Sequence, residues 1–166
     1  EISERKLGKN HPHTAEILNK QVELYYKAGR YKEVEPLLKR SLEINEKILG
    51  ENHPKLIFSL INLADFYGIS NRYTEASTLH ERILKILEKT YGEEHINTVQ
   101  GLDNLAYFYI HAGRYGEAES LSRRSLNFFE KNSSTDHSLS INSLGKLAVI
   151  YQITGNYTES EQMYKR

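Results

Sequence analysis

Four histidines recur at one fixed spacing in this 166-residue chain, and histidine is the side chain most suited to metal binding and proton transfer near neutral pH. They are His11, His53, His95 and His137, each 42 residues after the one before. Equivalent residues on neighbouring packed helices lie about 10 Å apart, whereas zinc holds its nitrogen ligands at about 2 Å. The four therefore cannot share one ion. His11 and His13 alone could share one, but a loop-capping role is the favoured interpretation for that pair.

Two further histidines were considered for chemistry. His80 stands on a predicted packing face, at the position that holds Leu38 one repeat earlier, so we predict a partly buried imidazole whose hydrogen bonds are satisfied. His111 has no nucleophile beside it by spacing. The sequence also contains no cysteine, no phosphate-binding glycine loop, and neither an HExxH nor a GxSxG motif. We therefore expect no enzymatic activity, no cofactor and no metal site.

The 42-residue spacing runs through the whole chain without insertion or deletion. Tyrosine recurs at Tyr31, Tyr73, Tyr115 and Tyr157, and leucine at Leu18, Leu60, Leu102 and Leu144. A period of this length is typical of a solenoid, in which one supersecondary unit stacks on copies of itself. We predict a single array over residues 1–166, with residues 1–8 as the tail of a preceding repeat. The repeats are predicted at residues 9–50, 51–92, 93–134 and 135–166, the last being truncated in its second helix.

Each repeat is predicted to contain two helices. In the first helix of the third copy, Leu102, Ala106 and Tyr109 are spaced by four and three residues, which places them on one face. A residue that tolerates the left-handed conformation follows this helix in every copy, as expected for a helix end. These residues are Gly29, Asn71, Gly113 and Gly155. The pattern predicts an all-α fold.

Charge and hydropathy limit the classes of partner. The formal net charge is zero, so there is no bulk attraction to nucleic acid or to an acidic membrane surface. No apolar run reaches the roughly 18 residues that a membrane-spanning helix requires. No signal peptide is visible, and the lack of cysteine is compatible with a reducing compartment. We expect a cytoplasmic protein with neither nucleic-acid nor membrane partners.

Residues 50–54 (GENHP) and 60–67 (LINLADFY) resemble the start of a tetratricopeptide repeat of the kinesin light chain type. Residues 113–121 (GRYGEAESL), followed by residues 124–126 (RSL), resemble its second half. The resemblance covers the whole chain, and repeats of that type are 42 residues long. It implies a right-handed α-solenoid of antiparallel helix pairs that binds a protein partner.

The resemblance also indicates which residues would contact a partner, because the first helices line the concave groove in tetratricopeptide arrays. Alignment on the tyrosine that ends each first-helix stripe gives a set of predicted groove residues. They are Asn19, Glu23, Tyr26, Lys27, Phe58, Ile61, Asn62, Asp65, Ile69, Asp103, Asn104, Tyr107, Ile110, His111, Val149 and Ile153. Asn62 and Asn104 resemble the asparagine ladder of the family, whose amides pair with a ligand backbone.

The character of these groove residues suggests a class of ligand. Several are apolar and lie off the packing stripe, as partner-binding residues commonly do. Lys27 is the one cation in the aligned set, beside carboxylates such as Glu23, Asp65 and Asp103. A groove that clamps a ligand carboxylate would need several cations. The sequence therefore favours a neutral-to-basic peptide segment with an apolar anchor.

Three readings of function follow. The leading one is a non-catalytic scaffold that binds a peptide segment of a partner protein in the groove of the first helices. The alternative is a regulatory or sensor array of a larger multidomain protein, which controls a fused effector domain through intramolecular contacts. A weaker third reading is end-to-end self-association through uncapped termini.

Overall fold

The computed structural model of the chain describes residues 10–132 and 137–166, without the side chains of residues 137–139. The predicted tail of a preceding repeat, residues 1–8, lies outside the described residues. So does the side chain of His137.

Every regular element in the described ranges is helical, as the sequence pattern predicts. The elements are α1 (Pro12–Lys27), a 3-10 turn (Tyr31–Glu33), α2 (Val34–Leu49), α3 (Leu56–Ile69), α4 (Tyr73–Tyr91), α5 (Ile96–His111), α6 (Tyr115–Lys131), α7 (His137–Ile153) and α8 (Tyr157–Lys165). Two helices therefore fall in each predicted repeat. None of the described helices is long and apolar enough to cross a membrane.

The chain divides into two compact units, residues 1–70 and residues 71–166. In the first unit, α2 packs against α1 and against α3. In the second unit, each helix from α4 to α8 packs against the next one along the chain, and α5 also contacts α7.

The apolar stripes predicted from the sequence form the buried faces of these helices. In α5, Leu102 and Ala106 are fully buried and Tyr109 is almost so. In α2, Leu38 and Ile44 are buried. Burial of a large aliphatic side chain stabilises a fold by about 1.5–3 kcal/mol, so packing between helices is what holds each unit together.

The repeated tyrosines of the first helices are held by hydrogen bonds as well as by packing. Three of these four tyrosines, those of α3, α5 and α7, donate a hydroxyl hydrogen bond to a glutamate Oε1 on an earlier helix. The pairs are Tyr67–Glu35 at 3.1 Å, Tyr109–Glu81 at 2.8 Å and Tyr151–Glu119 at 2.7 Å. Burial, reinforced by the carboxylate, raises the pKa of Tyr109 and of Tyr151 to about 12. These tyrosines therefore have a structural role. Candidate binding residues are sought at positions where the residue type differs from one repeat to the next.

The predicted helix ends are confirmed by backbone geometry. Gly29, Gly113 and Gly155 have φ angles of 69°, 76° and 82°, and Asn71 is the one described non-glycine residue with a positive φ, at 57°. After Gly113, the Arg114 N–H donates to the Tyr109 carbonyl at 2.8 Å, which closes the end of α5. Asparagine thus takes the left-handed position that glycine takes in the other repeats.

Replacing Asn71 with alanine should lower the free energy of unfolding by about 1–2 kcal/mol, because a β-carbon without a local polar partner is strained in the left-handed region. Asn71 also accepts a hydrogen bond from the Tyr73 hydroxyl at 2.9 Å. Asn71→Gly removes that bond without the strain and is the control. Urea unfolding followed by circular dichroism gives both values. Equal losses for the alanine and glycine variants would contradict the strain argument.

Two of the repeated histidines, His11 and His95, are the N-caps of α1 and α5, and for His11 the sequence predicts a loop-capping role. The Nδ1 atoms of His11, His53 and His95 each accept a hydrogen bond from the backbone N–H two residues further on, at 3.2, 3.1 and 3.2 Å. At His11 and His95 the bond satisfies a backbone donor that a helix start leaves open, whereas His53 makes it in the turn before α3.

Candidate functional site

A cleft with a volume of about 580 Å³ lies between α1 and α3 in the first unit. We call it the first cleft. Two large apolar side chains in it are mostly open to solvent, Phe58 at 64% exposed and Ile69 at 69%. Its base includes the buried side chains of Val22 and Leu38. Seven residues predicted for the groove line it, namely Asn19, Glu23, Tyr26, Phe58, Asn62, Asp65 and Ile69.

One face of α3 supplies four of the ten residues that line the first cleft. Phe58, Asn62, Asp65 and Ile69 are spaced by four, three and four residues, so they follow one stripe along the helix. The opposite stripe of α3 carries buried residues such as Leu60 and is used for packing. The cleft stripe is therefore available for contacts with another molecule.

A second cleft, of about 810 Å³, lies in the second unit and is lined by residues of α5, α6, α7 and α8. Five predicted groove residues line it, namely Tyr107, Ile110, His111, Val149 and Ile153. The sequence prediction missed three of its large side chains, namely Tyr115, Ile141 and Tyr164. Ile141 is 63% exposed and Tyr164 is 62% exposed. Tyr164 was missed because it lies on α8, a second helix, whereas the prediction used first helices alone.

The second cleft has an aromatic wall. The His111 ring stacks on Tyr73, with ring centroids 4.8 Å apart, and meets Tyr107 at 4.4 Å. Lys146 is the one lysine, arginine or carboxylate residue that lines this cleft. Its side chain is only 19% exposed and its Nζ lies 3.4 Å from Asp103 Oδ1. The second cleft is therefore mainly apolar and aromatic.

Four predicted groove residues do not line either cleft. Lys27 is exposed and its Nζ donates to Glu23 Oε1 at 2.6 Å. Ile61 is half-buried on α3, and Asn104 is exposed on α5. Asp103 is 7% exposed. The asparagine ladder expected from the resemblance is thus represented in the clefts by Asn62 alone.

The placement of Asp103 corrects its prediction as a solvent-facing groove carboxylate. Its Oδ2 accepts a hydrogen bond from the Ser125 hydroxyl of α6 at 3.0 Å, and its Oδ1 accepts one from the Ser143 hydroxyl of α7 at 3.1 Å. Both serines are fully buried. With Lys146 as the cation, these residues form a polar network that joins three helices. The carboxylate of Asp103 therefore binds partners within the protein and does not face a cleft.

Electrostatics distinguish the two acidic residues of the first cleft. Glu23 is paired with Lys27, which lowers the pKa of the Glu23 carboxyl through a hydrogen bond and charge attraction. Asp65 has neither a hydrogen bond nor a salt bridge to any described residue. Desolvation by the surrounding protein raises the pKa of Asp65. Burial, followed by the negative charge of Asp65, raises the pKa of the Tyr26 hydroxyl.

The prediction for His80 is wrong in one respect. Its imidazole is 4% exposed and stacks on Phe108 with ring centroids 4.5 Å apart. Neither ring nitrogen has a hydrogen-bond partner among the residues that the structure describes. Desolvation lowers the pKa of His80 to about 4. The ring therefore occupies an apolar position as a neutral side chain whose polar atoms are unsatisfied.

Within the described ranges, no group of three or more histidine, cysteine, aspartate or glutamate side chains is arranged to hold a metal ion. The chemistry available in the clefts is consequently that of apolar contacts, aromatic faces, amides and individual charges.

Comparison with solved structures identifies proteins of similar fold. The chain is similar to a putative kinesin light chain with nearly identical TPR-like repeats from Podosopora anserina, at 26% identity and a TM-score of 0.85. That match covers 99% of this chain and 78% of the other. BtubC (BKLC) from P. vanneervenii matches at 18% identity, 99% and 66% coverage and a TM-score of 0.78. At that identity the likeness concerns the fold alone. Comparison with curated proteins gave no match.

A family model described as tetratricopeptide repeat matches residues 13–89 and 97–166, which is most of the chain. The matched ranges include the residues of both clefts. The helix pairs, their glycine or asparagine ends and the buried stripes agree with this match. The chain belongs to the tetratricopeptide repeat family, and its repeats are of the kinesin light chain type.

Proposed function

We propose that this chain is a non-catalytic interaction module whose clefts bind a peptide segment of a partner protein. The tetratricopeptide fold is commonly a protein–protein interaction scaffold. The observation that carries the finer proposal is that exposed apolar side chains line two clefts. Phe58 and Ile69 line the first cleft, and Tyr107, Ile153 and Tyr164 line the second. Clustered exposed apolar groups usually mark a binding surface.

The dimensions and polar groups of the clefts support a peptide as the ligand. Volumes of about 580 and 810 Å³ lie within the range of about 300–1,000 Å³ that is usual for ligand sites. Each can take several side chains. The Asn62 amide in the first cleft can both donate to and accept from a peptide backbone, whatever its sequence. Apolar pockets would then select among side chains, as in extended-peptide recognition.

Selection from a phage-displayed library of random peptides should yield peptides whose binding depends on the cleft residues. Replacing Phe58 and Ile69 together with alanine should weaken peptides bound in the first cleft by tenfold or more, since each truncation removes about 1 kcal/mol or more of apolar contact. Tyr107→Ala with Ile153→Ala makes the same test of the second cleft. Fluorescence polarisation of labelled synthetic peptides measures each affinity.

Ile48→Ala is the matched control, because Ile48 is 44% exposed and lines neither cleft. It should leave the affinity unchanged, and all variants should keep native helical content because the replaced groups are exposed. The proposal fails if no peptide is enriched over a blank surface, or if the selected peptides bind both cleft variants as tightly as the native chain.

A further inference from the structure

Asp65 is the first cleft's uncompensated charge. Its carboxylate is exposed to solvent on the cleft stripe of α3 and makes no hydrogen bond or salt bridge with any residue that the structure describes. The raised pKa of Asp65 shows that the surroundings already disfavour its charge. A carboxylate in partly apolar surroundings is stabilised by a cation that reaches it. The cleft thus has an acceptor that no side chain in the described part of the chain uses.

The groups around Asp65 suit a cation that is attached to an apolar stem. Ile69 lies one turn further along α3. The negative charge of Asp65 contributes to the raised pKa of the Tyr26 hydroxyl, so these two groups interact electrostatically. Phe58 lies two turns earlier on the same stripe. A lysine or arginine side chain could lay its methylene groups on these apolar surfaces while its charge meets the carboxylate. The Tyr26 ring adds an aromatic face to which a cation is attracted.

The other charges of the first cleft do not fill this role. Glu23 occupies in α1 the repeat position that Asp65 occupies in α3, but its charge is compensated by Lys27 at 2.6 Å. Lys20 also lines the cleft and occupies the repeat position of Asn62. Asn62 precedes Asp65 by three residues, which corresponds to about 4.5 Å of helical rise. Lys20 and Asn62 can therefore donate hydrogen bonds to carbonyl groups of the same ligand whose cation meets Asp65.

The second cleft differs at the same repeat position. Where the first cleft has Glu23 and Asp65, the second has Tyr107 and Val149. Asp103, which is paired with the cleft residue Lys146, is buried and also accepts hydrogen bonds from Ser125 and Ser143. A requirement for a cation is thus a property of the first cleft and not of every cleft in the chain.

We propose that the first cleft selects peptide segments that carry a lysine or arginine side chain next to an apolar side chain, with Asp65 as the residue that receives the cation. This inference rests on the proposed function, because it assigns a ligand class to a cleft that is proposed to bind peptide. It makes Asp65 a specificity-determining residue, whereas Phe58 and Ile69 supply the apolar contacts.

The test combines library selection with a thermodynamic cycle. Random peptides displayed on phage are selected against the native chain and against the Asp65→Asn variant, which keeps the shape of the side chain. Peptides whose binding is lost in the Phe58→Ala, Ile69→Ala double variant are assigned to the first cleft. In a synthetic peptide of this class, replacing the basic residue with glutamine should weaken binding to the native chain about tenfold, the scale of a charge-assisted hydrogen bond.

The same peptide replacement should change binding to the Asp65→Asn variant less than threefold, because the partner charge is already gone. Glu94→Gln is the matched control, since Glu94 is an exposed carboxylate that does not line the first cleft, and it should retain the full effect. Rising salt concentration should weaken the native complex more than the Asp65→Asn complex.

The outcomes separate this inference from the proposed function. If first-cleft peptides are found but are not enriched in lysine or arginine, or if the glutamine replacement acts equally on the native chain and on Asp65→Asn, the inference is wrong and peptide binding stands. Enrichment of acidic peptides would also overturn it and would make Lys20 the selective charge. If no selected peptide depends on either cleft, both proposals fail.

Discussion

Replacing His80 with leucine is expected to raise the free energy of unfolding at pH 7 and to raise it further at pH 4. The His80 ring is 4% exposed and both of its nitrogens lack hydrogen-bond partners among the described residues, so the folded state carries the cost of burying polar atoms unsatisfied. That cost is about 1–3 kcal/mol for a buried polar group. Leu38 occupies the same repeat position in α2 and is 3% exposed, so the repeat accepts leucine here.

The pH dependence follows from the depressed pKa of His80. Burial lowers this pKa from 6.5 to about 4, so the unfolded chain takes up a proton at a higher pH than the folded chain. The contribution of neutral His80 to the free energy of unfolding is therefore fully present above about pH 6.5 and is lost as the pH falls towards 4. The loss reaches about 3 kcal/mol at pH 4, because each unit of pKa difference is worth about 1.4 kcal/mol. Leucine cannot be protonated, so the variant lacks this loss.

Urea unfolding of the native chain and of His80→Leu at pH 7 and at pH 4 measures the effect. The difference between the two chains should grow by about 3 kcal/mol between these pH values. Asn104→Leu is the control, since Asn104 is exposed on α5 and has no titratable side chain, so its replacement should leave the pH dependence close to native. If the native chain and His80→Leu lose the same stability on acidification, His80 is protonated in the folded state without penalty.

The sequence predicted those parts of the fold that depend on the backbone and on the repeat itself. Asn71 shows this clearly, because its alignment with glycines was enough to predict a left-handed residue, and its φ is 57°. Tyr109 was placed on the packing stripe by spacing alone and is 6% exposed. Its hydroxyl partner could not be predicted, because Ser77 replaces the glutamate found at that repeat position in α2 and α6. Glu81, one turn further along α4, accepts the bond instead.

The errors in the candidate site concern side chains whose neighbours lie on other helices. Asp103 was aligned with groove positions, but hydroxyl groups on α6 and α7 draw its carboxylate into the interior. A periodic pattern shows which face of a helix packs. It does not show which polar side chains of two helices contact each other. Those contacts determine whether a carboxylate is available to a ligand.

Replacing Asp103 with alanine is expected to lower the free energy of unfolding by about 3 kcal/mol, because breaking a buried charged network leaves its partners unsatisfied. The fully buried hydroxyls of Ser125 and Ser143 would lose their acceptor, and Lys146, at 19% exposed, would lose its counter-ion. The network joins α5, α6 and α7, so its loss should destabilise the contacts among these three helices.

The other repeats suggest a test of two possibilities. Either the fold requires this polar network, or it only requires that no member of the network is left without its partners. At the positions of Asp103, Ser125, Ser143 and Lys146, the preceding copies have Ile61, Ile83, Gly101 and Asn104. A variant with Asp103→Ile, Ser125→Ile, Ser143→Gly and Lys146→Asn transfers this largely apolar set. Replacing a whole buried ionic network with apolar groups is often neutral or stabilising. The fourfold variant should therefore recover most of the stability that Asp103→Ala loses.

Urea unfolding at pH 7, followed by circular dichroism, compares the native chain, Asp103→Ala and the fourfold variant. A loss below about 1 kcal/mol for Asp103→Ala would be the cost of an ordinary single hydrogen bond and would contradict a buried network. An equal loss in both variants would show that the polar set is specifically required at this junction. Recovery in the fourfold variant would show that the repeat tolerates either set. In that case Asp103 stabilises the fold because Ser125, Ser143 and Lys146 need a partner, and an apolar set of residues stabilises the junction equally well.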